Sequence, residues 1–136
     1  EVVALEHDAL AMYTPDGFVA AIAAFVQTAA PSFVVVAHTY QARDFVPALA
    51  ARLDRALVTD CTAVKAHNGG FVFTRPMFQG KLVADVVPQG EGPFLISIQI
   101  GAYRADAMAK GSAAAPIAAA LVLESTMGQR ISPTVR

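Results

Sequence analysis

The apolar and polar positions change period twice between residues 33 and 60. Phe33-Val34-Val35-Val36-Ala37 is apolar at every position, and the polar stretch Thr39-Tyr40-Gln41-Ala42-Arg43-Asp44 follows His38. Residues 45–53 then repeat apolar side chains at helical spacing, and Ala56-Leu57-Val58 runs apolar into Thr59-Asp60. An apolar run without alternation reads as a parallel strand covered on both faces. The stretch therefore predicts a βαβ unit with residues 33–37 as the central strand. Its helix is expected to begin near Asp44 as N-cap, with Pro47 in the first turn and Val46, Leu49, Ala50 and Leu53 facing inward. In such a unit the polar connection after the first strand opens a crevice, into which the N–H groups of the next helix point.

The same reading extends to the flanks. Val2 to Leu5 is a short strand, and Thr14-Pro15-Asp16 starts a helix with cap, first-position proline and an acid at the positive end. Phe18, Ile22, Phe25 and Val26 form one face of that helix, which Ala30-Pro31 ends. After Asp60 the period becomes that of strands. Residues 62–66 and 71–74 alternate around His67-Asn68-Gly69-Gly70, a strong hairpin signal. Phe78-Gln79-Gly80-Lys81 turns into residues 82–87, and a Pro- and Gly-rich turn over 88–93 leads to a strand over 94–100. This half reads as mostly antiparallel strands added to the parallel beginning. Residues 101–116 form a loop with a short helix near 105–109, and 118–123 a last strand. Residues 126–136 form a tail or linker, so the domain spans 1–125. No internal repeat is evident.

Composition sharpens this picture in a few places. The 136 residues suit one domain. Apolar residues make up 55% and charged ones 15%, and the mean hydropathy is +0.48. That excess fits either surface buried against a partner or a bias toward alanine. The net charge is −1 with scattered cations, which argues against nucleic-acid binding, since counterion release needs clustered charge. The longest apolar run, residues 18–26, is too short to span a bilayer. The single cysteine, Cys61, fits a reducing compartment. The chain opens on Glu1 in mid-strand without a Met, so a preceding segment is expected.

Catalytic chemistry finds little support. His7, His38, His67 and Cys61 are too dispersed for a metal set, and Ser112 lacks the nucleophile elbow. Cys61 falls near His38 if both close strands of one βαβ unit, yet an isolated Cys there reads as a small buried hydrophobe. No glycine-rich phosphate loop is present. Thr39, Tyr40, Gln41, Arg43 and Asp44, with Asp60 at the neighbouring strand end, suit either a helix cap with ion pairs or a small-anion site. Arg75-Pro76 belongs at a strand edge or bulge, and Arg75 and Phe78 are interface candidates. Phe71, Phe73 and Phe78 read as core or interface anchors.

His38-Thr39-Tyr40-Gln41-Ala42-Arg43-Asp44, Leu57-Val58-Thr59-Asp60-Cys61, residues 73–84 around Arg75-Pro76, and Gly111-Ser112-Ala113-Ala114-Ala115-Pro116 together resemble the N-terminal domain of the electron transfer flavoprotein alpha subunit. The motifs occur in order over most of the chain. The resemblance implies an α/β, Rossmann-like three-layer sandwich of the adenine nucleotide alpha-hydrolase type, with a parallel sheet and added antiparallel strands. It implies a non-catalytic scaffold in an FAD-containing heterodimer with a beta subunit. That carrier takes electrons from acyl-CoA or other dehydrogenases, as in fatty acid beta-oxidation, and passes them to a quinone oxidoreductase. FAD is expected mainly on a C-terminal domain beyond residue 136. A strand, helix and strand are expected before Val2, leaving that strand without a neighbour. The compartment implied is the bacterial cytoplasm or the mitochondrial matrix. In the related beta subunit the equivalent crevice helps bind AMP; here it is expected to be degenerate. The alternative is an adenine-nucleotide-binding or -hydrolysing α/β domain.

Overall fold

The structure, a computed structural model, describes residues 1–109, 111 and 114–119. Its core is the parallel sheet of β2 (Phe33–Ala37), β3 (Leu57–Cys61) and β7 (Phe94–Ile98), in the order β2-β7-β3. The central strand is thus β7, and the expected central strand, β2, lies at the edge. Alternation along β7 explains why. Leu95 faces α1 (Pro15–Ala29) and α2 (Tyr40–Leu53), whereas Ile96 faces Val58, Cys61 and Phe73, and both are 0% exposed. In β2, Val34 and Val36 meet the helices, but Val35, on the opposite face, is 59% exposed. A uniformly apolar run here marks a strand with one face half-buried against the helices and an open stretch on the other.

The second face of this sheet is covered by strands. β4 (Ala63–His67), β5 (Gly70–Met77) and β6 (Leu82–Val86) form an antiparallel sheet whose Phe73 and Val64 pack on Ile96. Helices, parallel sheet and antiparallel sheet make three layers, consistent with the α/β fold expected. Strand 94–98, assigned to the antiparallel half from sequence, instead returns to pair in parallel with both β2 and β3. The expected hairpin forms, with His67 opposite Gly70 and positive φ at Asn68 and Gly69. That is the twist a two-residue turn between right-handed strands requires.

Proline in β5 is accommodated as the edge rule demands. The Thr74 carbonyl accepts from the Thr62 N–H at 2.8 Å, so Thr74 and Pro76, two residues apart, direct their backbone groups to the β4 side. Since β4 begins only at Ala63, paired with Thr74, no ladder bond is lost at Pro76. β1 (Val2–Leu5) does have a neighbour, contrary to expectation: it pairs in parallel with β8 (Pro116–Ala119). That strand starts two residues before the predicted 118, and residues 120–136, including the predicted tail, lie outside the described residues.

Local chemistry sets the helix ends. Thr14 Oγ1 accepts the Gly17 N–H at 3.2 Å, with Pro15 at the first position. A Cβ on Gly17 would lie 2.8 Å from that oxygen, so only glycine leaves the cap intact. The deepest positions of α1 are Val19, Ala20, Ala21, Ala23 and Val26, while Phe18 and Ile22 of the predicted face are half-buried. Small alanines let the helix approach its neighbours closely, which displaces the larger side chains to its flank. There Phe18 lies between the Tyr13 and Phe45 rings.

The second helix starts earlier than expected. Its N-cap is Thr39, whose Oγ1 accepts the Ala42 N–H at 3.0 Å, and not Asp44. Pro47 consequently sits inside the helix and leaves the Arg43 carbonyl without its usual partner four residues on. Thr39→Ala should lower stability by about 1 kcal/mol, a fall of about 3 °C in melting temperature for a domain of this size. Asp44→Ala should cost less than half as much; equal losses would contradict this cap.

Candidate functional site

Three strand ends converge where the parallel sheet opens beyond its C-terminal edge. His38 follows β2, Ser97 lies near the end of β7, and Asp60 near the end of β3. Backbone bonds tie the ends together: His38 N–H donates to the Ile98 carbonyl at 2.7 Å, and Gln99 N–H to the Cys61 carbonyl at 2.8 Å. β3 shifts register between Val58 and Cys61, and Asp60 takes a left-handed φ of 60°. This bulge turns Thr59 and Asp60 toward the opening.

The pivot is Ser97, only 2% exposed. Its Oγ accepts the Asp60 backbone N–H at 3.0 Å and lies 2.8 Å from His38 Nδ1. With one lone pair engaged, the hydroxyl hydrogen is best used toward Nδ1, assigning the ring hydrogen of neutral His38 to Nε2. Nε2 faces Asp60 Oδ1 at 3.9 Å. The residue types are those of a hydrolase triad, but the arrangement is not. Ser97 is buried and already accepts a backbone hydrogen bond, so it is not presented to a substrate.

Around this knot is a cavity of about 320 Å³, lined by His38, Arg43, Pro47, Asp60, Arg75 and Ser97 among others. A shallower one of about 480 Å³ adjoins it, sharing His38, Arg43 and Asp60 and adding Tyr40 and Gln99. Of the crevice residues expected from sequence, Arg43 and Asp60 therefore meet, and Tyr40 lies at the mouth with Arg43 5.6 Å from its ring centre. Thr39 is the helix cap. Gln41 and Asp44 turn elsewhere, the Tyr13 hydroxyl donating to Asp44 Oδ2 at 2.8 Å and more weakly to the Gln41 carbonyl at 3.4 Å. The predicted polar turn is mostly the first turn of α2, which spreads its side chains around the helix.

Sequence reasoning placed Arg75 at an interface; its side chain lines this cavity. The parity of β5 accounts for it, since Arg75 shares a face with Phe73, which is buried against the parallel sheet. Phe78, the other interface candidate, is 69% exposed at the turn after β5. His38 and Ser97 were missed as site residues. The residue following the first strand of the βαβ unit was the available signal for His38; Ser97 offered none, because its strand was not recognised as central.

Cys61 is fully buried, and its thiol is raised above the usual range by that burial, with Arg75 lowering and Asp60 raising it further. The thiol should resist Ellman's reagent in the folded protein and react once urea unfolds the chain. Rapid labelling of native protein would contradict this placement. Among the described residues, no three His, Cys, Asp or Glu side chains gather as a metal set.

Comparison with known proteins extends the geometry. The family described as Electron transfer flavoprotein domain matches residues 1–123. The alpha subunit of the electron transfer flavoprotein from Syntrophomonas wolfei is 38% identical over 101 residues, covering 74% of this chain and 32% of that protein. The Bacillus subtilis alpha subunit is 34% identical, covering 64% of this chain and 27% of its own length. A subunit of the Acetobacterium woodii lactate dehydrogenase (NAD(+),ferredoxin) is 29% identical, covering 60% of this chain and 20% of that protein. The chain thus spans about a third or less of the length of these curated relatives.

Proposed function

The chain belongs to the electron transfer flavoprotein family as an alpha-subunit region, and from that premise we infer that it is a docking scaffold rather than a catalyst. In the whole protein it would help join the alpha subunit to a beta subunit. The pair would carry electrons on FAD from acyl-CoA or other dehydrogenases to a quinone oxidoreductase. The carrying observation is the apolar margin of the antiparallel sheet: Phe78, Leu82 and Val83 are 69%, 59% and 67% exposed. Large apolar side chains grouped at one end of a sheet favour a protein partner.

FAD does not suit the crevice. The inner cavity is at the small end of the ligand-site range, and no glycine in residues 39–44 lets the backbone approach a pyrophosphate. The flavin is therefore assigned to parts of the alpha subunit beyond this chain. For the same reasons this piece should bind neither FAD nor AMP tightly. The nucleotide-hydrolase alternative is not favoured, since Ser97 is engaged and Cys61 sealed. Among the described residues no helix is long and apolar enough to cross a membrane. A bacterial cytoplasm or mitochondrial matrix suits the proposed role; one fungal relative, 32% identical, is named as mitochondrial.

The test is assembly. Full-length alpha subunit carrying Phe78→Asp and Val83→Asp should associate with its beta subunit at least about 100-fold more weakly in sedimentation experiments, the scale expected for two buried anchors. Unchanged association would remove this margin from the interface.

A further inference from the structure

We propose that the inner cavity is a binding site for one phosphate-class oxyanion, held between Arg43 of α2 and Arg75 of β5. Two cations reach the same space from different layers of the fold. Among the described residues, Arg75 forms no hydrogen bond or ion pair, and its Nε is buried without a partner. A guanidinium stripped of part of its hydration and given no carboxylate leaves strong donor capacity unused. Among the described residues, the Arg43 side chain makes no hydrogen bond or ion pair and contacts the Tyr40 ring. The helix end offers less, because Thr39 already caps the Ala42 N–H.

Asp60 sets the selectivity. Its carboxylate lines the same cavity, and its backbone N–H is committed to Ser97. The two arginines and Asp60 together give the lining a net charge of +1 (two arginines less Asp60). A fully ionised anion would meet repulsion from Asp60. Phosphate at neutral pH retains a P–OH, which donates to a carboxylate while its remaining oxygens accept from the arginines. Sulfate has no such hydrogen. The site should therefore prefer phosphate to sulfate, a discrimination that two arginines alone would not produce. His38, bonded to Ser97 through Nδ1, places its Nε2 3.9 Å from the Asp60 carboxylate, too far for a direct hydrogen bond.

Two sources share the arginine-binding chemistry, the free ion and the phosphoryl end of a monoester; the monoester loses its P–OH with a pKa of about 6, so the titrations are run at about pH 6, where both still carry one. The whole 136-residue chain, in phosphate-free buffer, would be titrated by calorimetry with inorganic phosphate, sulfate and AMP. Saturable phosphate binding, about tenfold tighter than sulfate, is expected. Arg75→Met should weaken phosphate about tenfold or more, Arg43→Met should weaken it too, and Asp60→Asn should narrow the gap between phosphate and sulfate. Circular dichroism melting establishes that each variant is folded, and Arg43→Met serves if Arg75→Met is not. AMP binding no tighter than phosphate assigns the free ion; tighter AMP binding assigns the monoester, and at micromolar affinity it would also contradict the prediction that this piece binds AMP weakly. Absent phosphate binding, equal affinity for sulfate, or indifference to both arginine variants would overturn the site without touching the docking role.

Discussion

Replacing Leu95 or Ile96 with alanine is expected to lower stability by about 3 kcal/mol in each case, whereas Val35→Ala should cost less than about 1 kcal/mol. Both β7 side chains are 0% exposed, and each removal would leave a cavity in a different layer. Leu95 closes the core with Val19, Phe45 and Leu49 from the helices. Ile96 closes the one with Val58, Cys61 and Phe73 between the sheets. Val35 has much of its surface already in water. Urea denaturation of the three variants separates β7 from β2 as the central strand. Were Val35→Ala as damaging as Leu95→Ala, the strand order described above would be wrong.

Ser97→Ala is the second large effect, a loss of about 2 kcal/mol from deleting one oxygen. The change creates almost no cavity. It does leave the Asp60 N–H and His38 Nδ1 without the partner that joins them. Asp60 holds a left-handed φ of 60° in a bulge, so losing that bond also frees the segment that lines the cavity. Thr62→Ala is a suitable comparison, since its half-buried hydroxyl makes one longer bond, 3.3 Å to the Thr74 carbonyl. Equal stability of Ser97→Ala and the parent chain would mean that the three strand ends are not joined through this hydroxyl.

What could be read in advance followed from local chemistry. Thr14-Pro15 marked a helix start and Asn68-Gly69 a hairpin, because each residue acts on its immediate neighbours. The succession of strand, helix and strand over residues 33–61 was likewise legible from a change in apolar period. Lateral order was not. β2 is apolar throughout yet sits at an edge, while β7 contains Ser97 yet sits in the middle. A polar residue is tolerated there because Asp60 and His38 satisfy it, and those partners are remote in sequence.

The same limit applied to the site. Thr39 to Asp44 were recognised as a possible cap, but the N-cap position was given to Asp44, also a good capping residue, and that choice made the first turn of the helix look like a loop. Arg75 could have been placed by counting in twos from Phe73, had the inner face of β5 been identified first. The family resemblance rested on short motifs in order, and the match over residues 1–123 bears it out.

In the proposed division of labour these residues dock protein while the flavin is held elsewhere. Titrating FAD with the purified 136-residue chain, and following flavin fluorescence, tests it most directly. No saturable quenching is predicted. Quenching that saturates with micromolar affinity would place the cofactor on this piece and contradict the account.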